Sequence, residues 1–406
     1  QQVFSQASFS AKTDFTTDIN PSSISTSDFN GDGKLDLVTA NQSGTSVSVI
    51  LNTTTTGAST PTFSANADFT AGVSTRSVAV GDFNGDGKPD LAASNNTDNS
   101  VSVFLNTTPT GNSVPTFTAK TDFTTGLQPY SVSINDFNGD GKPDLAVTNI
   151  NSLTVSIFLN TTTTGNASPT FSAKTDFTTG DSPRSLSIGD LNGDGKPDLV
   201  TANQNSSSVS VLLNTTPTGN ATPTFSAKTD FTVGSGPRST SISDLNGDGK
   251  LDIAAGNNGA NSVSVLFNTT PTGNSTPTFS AKTVFTTGNA PRSVFFKDIN
   301  GDGLPDMLTA NNSSNTVSVF LNTTTPGAST PTFAAKVDFT TGTNPNDVTV
   351  GDYNGDGKQD FAACNQNTAN VSVFFNTTVF GVASTAFTSK TDFTAGNTPY
   401  TITIGD

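Results

Sequence analysis

The 406-residue sequence predicts an all-β fold, a seven-bladed β-propeller of four-stranded antiparallel blades, from three observations. A nine-residue acidic motif recurs seven times at an exact 54-residue interval, with no insertion or deletion. Each interval contains four short stretches of strand character, joined by segments rich in Gly, Asn, Pro and Thr. Only 32% of the residues are hydrophobic, and Ser, Thr, Asn and Gly fill much of the rest, a mixture that suits short strands and tight turns better than helices.

The strands can be placed within one repeat, taking residues 130–180. The first is 130–136, where Val132 and Ile134 alternate with Ser131 and Ser133. The second, 144–149, is a short apolar run. The third, 154–160, carries Val155, Ile157 and Leu159 on one face, and the fourth, about 170–178, sets Phe171 and Phe177 on the same side. The connections are too short and too rich in turn residues for helical crossovers, so successive strands are antiparallel neighbours. A single four-stranded unit cannot bury both its faces. Seven arranged radially bury each face against a neighbour. Eight blades, or a longer array of which this is a segment, are the alternatives. No linker divides the chain, so residues 1–406 read as one domain.

The loop between the first and second strands spans 28–36, 82–90, 136–144, 190–198, 244–252, 298–306 and 352–360. Position 1 is Asp28, Asp82, Asp136, Asp190, Asp244, Asp298 or Asp352. Position 3 is Asn30, Asn84, Asn138, Asn192, Asn246, Asn300 or Asn354, and position 5 is Asp32, Asp86, Asp140, Asp194, Asp248, Asp302 or Asp356. Position 7, expected to offer its backbone carbonyl, is Lys34, Lys88, Lys142, Lys196, Lys250, Leu304 or Lys358. Position 9 is Asp36, Asp90, Asp144, Asp198, Asp252, Asp306 or Asp360. Alternate residues of a tight loop point inward, so these oxygens converge, and oxygen-only ligation selects Ca²⁺ over softer metals. About seven ions are expected, because clustered carboxylates repel one another unless a cation offsets them. An EF-hand is excluded, since the flanks read as strands and no Glu follows at position 12.

Charge supports that reading. The chain carries a formal −15, and three loop aspartates in each of seven copies account for most of its 33 acidic residues. Such a balance argues against nucleic-acid binding, and no stretch is apolar enough to span a membrane. His, Glu and Trp are absent, which removes the usual general bases and nitrogen ligands, so an enzyme is not expected. The single cysteine, Cys364, sits in an apolar run and reads as a small buried thiol. Gln1 reads as a mature N-terminus after removal of a secretion signal.

These loops are similar to those of the FG-GAP/VCBS-type repeats, whose calcium-loop blades also form the head of integrin α subunits. The resemblance covers nearly the whole chain. It implies a propeller with calcium loops on one face and a secreted, cell-surface or extracellular location. The integrin-like Phe-Gly and Gly-Ala-Pro signatures are not evident, so integrin-type recognition is not implied.

At the opposite face, the start of the first strand varies: Ser22, Arg76, Tyr130, Arg184, Arg238, Arg292, Asn346 and Tyr400 are equivalent. A propeller gathers these into a ring. Arg76, Arg184, Arg238 and Arg292 with Tyr130 and Tyr400 could bind an anionic or sugar ligand; alternatively the arginines cap strands or pair with acidic neighbours such as Asp181. Asn-Thr-Thr sequons begin at Asn52, Asn106, Asn160, Asn214, Asn268 and Asn322, with Asn-Thr-Thr again at Asn376; these are glycan acceptors or simply turn chemistry.

Seven repeats leave a surplus half repeat shared between 1–27 and 379–406. Residues 9–15 and 387–393 both copy the fourth strand, and 22–28 and 400–406 both copy the first. A closed ring has room for one of each. Either the chain belongs to a longer array, or one copy is displaced, or one terminus donates strands to a neighbouring molecule, a head-to-tail exchange that builds fibres. The function expected is a calcium-stabilised extracellular structural protein assembling with itself; the alternative is an adhesion module that binds surface glycans or proteins.

Overall fold

The computed structural model describes residues 7–378, and within them the chain forms seven four-stranded antiparallel sheets and no helix. Six sheets follow chain order from the centre outward. In the first, Pro21–Ser27 is innermost, followed by Asp36–Asn41, Ser46–Ile50 and the outermost strand Ala67–Thr70. The seven-bladed propeller is therefore the observed fold, and eight blades are not.

Burial explains the strand patterns. The second strand of the first blade, Asp-Leu-Val-Thr-Ala-Asn, is buried at every position, as is the third, Ser-Val-Ser-Val-Ile. Both faces of these strands are covered, so apolar residues run without strict alternation. Outermost strands such as Thr13–Thr16 alternate between half-buried and exposed, because only one face meets a neighbour. Six innermost strands begin with Pro, which suits a first strand residue because it has no N–H to offer the ladder.

The core lies between blades rather than within them. Seven apolar clusters form, each shared by two adjacent blades: Phe29, Val38 and Val47 of the first blade pack with Val78, Leu91 and Phe104 of the second, and Tyr353, Val371 and Val373 of the seventh pack with Ile24, Leu37 and Ile50 of the first. Buried polar residues are bonded across strands. Asn41 Nδ2 donates to Ser48 Oγ at 2.8 Å, and Ser48 Oγ donates to Asp68 of the outermost strand at 2.5 Å.

The seventh blade is built from two ends of the chain. Pro345–Gly351, Asp360–Asn365 and Asn370–Phe374 supply three strands, and Thr13–Thr16 supplies the outermost, antiparallel to Asn370–Phe374. Ser372 Oγ donates to Asp14 at 2.6 Å, reproducing the Ser48–Asp68 bond, and Phe9 packs edge-on against Phe339 and Phe361. The N-terminal copies of the fourth and first strands thus occupy the ring. The C-terminal copies, including Tyr400, lie outside the described residues.

Candidate functional site

Two sets of side chains repeat around the ring, one at each end of the innermost strands. The first is the acidic loop that follows each innermost strand. In loop 28–36, Asp32 N–H donates to Asp28 Oδ1 at 3.1 Å and Gly33 N–H to Asp28 Oδ2 at 2.8 Å. Lys34 N–H donates to Asp32 Oδ1 at 3.0 Å. Gly31 and Gly33 stand at φ of 68° and 85°, a left-handed backbone that L residues adopt only at a cost. The same bonds recur in the other loops, including 298–306, where Leu304 N–H takes the place of a lysine's. The position-7 bond to the position-5 carboxylate is thus made by the backbone N–H, and leucine makes it as lysine does. Where lysine is present at this position its ammonium can turn away: Lys88 Nζ and Lys142 Nζ bond the carbonyls of Thr108 and Thr162.

Position 9 has a role that sequence alone did not reveal. Asp36 is fully buried, and its two oxygens accept N–H bonds from Phe29 at 2.8 Å and Asn52 at 2.7 Å. All seven position-9 aspartates do the same, tying the loop to the segment after the third strand. Burial pushes each of these carboxyls up to about 7, against the pull of the two N–H bonds, and the position-5 and position-1 carboxylates add a smaller push. Among the described residues no three acidic side chains converge on one point. Each carboxylate oxygen nonetheless has two lone pairs and gives one to the backbone at position 9. The remaining lone pairs, the Asn30 and Asp32 side chains and the position-7 carbonyl form an all-oxygen donor set that fits a hard divalent cation.

The sequon asparagines are not surface residues. Asn52, Asn106, Asn160, Asn214, Asn268, Asn322 and Asn376 are at most 2% exposed. Asn106 Nδ2 donates to Phe29 O of the preceding blade's acidic loop at 2.9 Å and to Pro89 O at 3.1 Å, while its Oδ1 accepts Thr108 N–H at 2.8 Å. An amide so enclosed is inaccessible to glycosylation in the folded chain, so turn chemistry is the reading that holds. Gly111 N–H adds a bond to Asn30 O at 2.6 Å, and a Cβ at Gly31 would approach Thr110 to 3.2 Å. Each acidic loop is therefore fastened to the tip of the next blade.

The second set lines the channel mouth at the start of the innermost strands. Arg76, Arg184, Arg238 and Arg292 gather there with Tyr130, Ser22 and Asn346 around a cavity of about 360 Å³. Tyr130 lies between two guanidiniums, with Arg184 Cζ 4.9 Å and Arg76 Cζ 5.4 Å from its ring centroid. Arg76 donates to Gln42 Oε1 at 2.7 Å, Arg184 to Gln204, and Arg292 to Asn346 Oδ1 at 2.6 Å and Gln366 Oε1 at 3.0 Å. Arg184 does not pair with Asp181, whose carboxylate instead accepts from Asn205 Nδ2 at 3.4 Å while its backbone N–H donates to Ser206 Oγ at 3.2 Å. Gln42, Gln204 and Gln366 were not anticipated as partners, although they occupy equivalent positions 54-residue multiples apart. Burial, then neighbouring positive charge, pushes the Arg292 guanidinium down to about 10; burial also lowers Arg76 and Arg184.

The FG-GAP-like repeat family matches at residues 28–93, 82–147, 136–201, 190–255, 244–309 and 298–363. No curated protein sequence matches the chain. Among solved structures, two crystal structures of BBS1N in complex with ARL6DN share the fold. The crystal soaked with mercury has a TM-score of 0.58 at 11% identity, covering 90% of this chain and 96% of that one. The one soaked with lead has 0.56 at 10%, covering 89% and 94%. At such identity the likeness concerns the fold alone.

Proposed function

Because the chain belongs to the FG-GAP-like repeat family, we propose that it is a calcium-stabilised extracellular structural module, with one ion in each of its seven acidic loops. The observation that carries this reading is positional: every loop presents oxygen donors at a contact between blades, so each ion would secure an interface as well as a turn. Asp28, Asn30, Asp32, the Lys34 carbonyl and Asp36 would hold the ion in the first loop, and their equivalents in the others. The cation's contribution is to offset carboxylate repulsion. Seven ions would leave a net charge near −1 from the formal −15. Extracellular sites of this class bind at roughly 10⁻⁴ to 10⁻³ M, which millimolar external calcium fills and cytosolic calcium does not. No catalytic role is assigned, since seven equivalent sites do not make one active site.

Chelation tests the proposal. Melting followed by circular dichroism should fall by about 10 °C or more when calcium is removed with excess chelator, on the order of 8 kcal/mol for a chain of 406 residues. Metal analysis of the calcium-equilibrated protein should count about seven ions per chain. An unchanged melt would overturn the reading.

Two observations support finer readings. The outermost strand of the seventh blade has a second copy at 387–393 in the same chain, which supports assembly by strand exchange between molecules. The cationic channel mouth supports the alternative of an adhesion module that binds glycans or proteins on the face opposite the loops.

A further inference from the structure

We propose that the channel mouth is a binding site for a small polyanion, a ligand bearing two or more carboxylate, sulfate or phosphate groups, held by the guanidiniums of Arg76, Arg184, Arg238 and Arg292. This names a ligand class for the adhesion alternative; the calcium reading stands or falls separately, on chelation.

Four observations converge. Four guanidiniums line one cavity, yet none makes an ion pair; among the described residues the ion pairs join a lysine just before an outermost strand to an aspartate on it. The Nε atoms of Arg76, Arg238 and Arg292 are buried without any hydrogen-bond partner. Buried donors are almost always satisfied, and leaving one unmet is costly. The one carboxylate lining the cavity, Asp347, is turned to the backbone, accepting N–H bonds from Ile24 at 3.2 Å and Val348 at 2.9 Å. Finally, the guanidiniums that do have partners are held by neutral ones, Gln42, Gln204, Gln366 and Asn346, and by the face of Tyr130. These fix orientation and leave the charge unspent.

The ligand class follows from this arrangement. A guanidinium is a planar fork that matches an oxyanion bidentately, so several converging forks favour several oxyanion groups on one molecule. A cavity of about 360 Å³ admits a small molecule. The charge is also lopsided: blades two, four, five and six contribute arginine, whereas blades seven and one contribute Asn346 and Ser22. Asn346 Nδ2 donates to Ser22 O at 2.5 Å, closing that side with neutral groups. A ligand with its charged groups on one side and hydroxyls on the other fits best.

Titration calorimetry in millimolar calcium, at constant ionic strength, would compare inorganic sulfate, tricarballylate and sucrose octasulfate; the last two separate carboxylate from sulfate recognition. One site per chain is expected, with at least one polyvalent probe bound tenfold or more tightly than sulfate. The Arg238 guanidinium has no hydrogen-bond partner among the described residues, so Arg238→Gln should leave the free protein's melting temperature unchanged or raised while weakening binding about tenfold, the loss expected for a charged hydrogen bond. Arg238→Gln with Arg292→Gln should weaken it about a hundredfold. No saturable binding by any probe, or undiminished binding in the double variant, would overturn the proposal. So would a marked fall in the free Arg238→Gln melt, which would assign that guanidinium to the fold.

Discussion

At the scale of single residues, the repeat supplies its own controls, because a departure at one position can be compared with six equivalents. Asp347 stands where the other blades carry Ser23, Ser77, Ser131, Ser185, Ser239 and Ser293. Those serines can do the same work: Ser77 Oγ accepts Val132 N–H and Ser185 Oγ accepts Thr240 N–H of the next blade, as Asp347 accepts Ile24 N–H. Burial pushes the Asp347 carboxyl up against the pull of its hydrogen bonds, so the folded chain holds this proton to a higher pH than the unfolded chain does. The contribution to stability is then full below the unfolded value near 3.8 and is lost as pH rises through the folded value. Asp347→Ser should accordingly raise the melting temperature at neutral pH, with the gain shrinking towards pH 4; a pH-independent difference in melts would contradict this. Cys364 tells a simpler story. It is fully buried between blades seven and one, and burial pushes its thiol up, as the apolar run around it implied.

At the scale of the element, the acidic loop and its neighbouring turn act as one joint. Asn160 shows how. Its side chain donates to Phe83 O at 2.9 Å in the preceding blade and to Pro143 O at 3.1 Å, and accepts Thr162 N–H at 2.8 Å. Asn160→Ala would strand two buried backbone groups, at Phe83 and Thr162, and a half-buried one at Pro143, so a loss of about 2–4 kcal/mol is expected in denaturant unfolding; a loss under about 1 kcal/mol would show that water or rearrangement replaces the amide. The strands and the loop were legible in the sequence because both depend on local spacing. The second strand was read at 144–149, as found, and the first and third were placed within a residue or two. The fourth proved shorter, Thr175–Thr178, with Phe171 reaching only an isolated bridge to Asn160. What spacing cannot show is which oxygen faces which N–H. In one dimension Asp36 reads only as the last oxygen of the acidic loop and Asn52 only as a turn residue; nothing in their spacing shows that Asp36 accepts Asn52 N–H, or that Asn52 Nδ2 reaches Tyr353 O of the neighbouring blade. The glutamine partners of the arginines were hidden for the same reason.

At the scale of the whole molecule, one blade is assembled from both ends of the chain, and two segments carry the chemistry for its outer edge. Phe387, Lys390, Asp392 and Phe393 match Phe9, Lys12, Asp14 and Phe15. If strand exchange between molecules drives assembly, electron microscopy of the full chain in millimolar calcium should show fibres, and removal of 379–406 should leave discrete particles. Discrete particles from both proteins would refute it. The closure of the ring also bears on how the chain comes to be folded. The Ser372–Asp14 bond joins residues 358 positions apart, so six interfaces can form between sequence neighbours while the seventh must wait for the repeat that contains Ser372. During synthesis the early blades would stand as an open arc, with the first strand held in reserve until the last repeat emerges. Contacts of such separation slow folding, so the pairing of Thr13–Thr16 with Asn370–Phe374 is expected to be a late step.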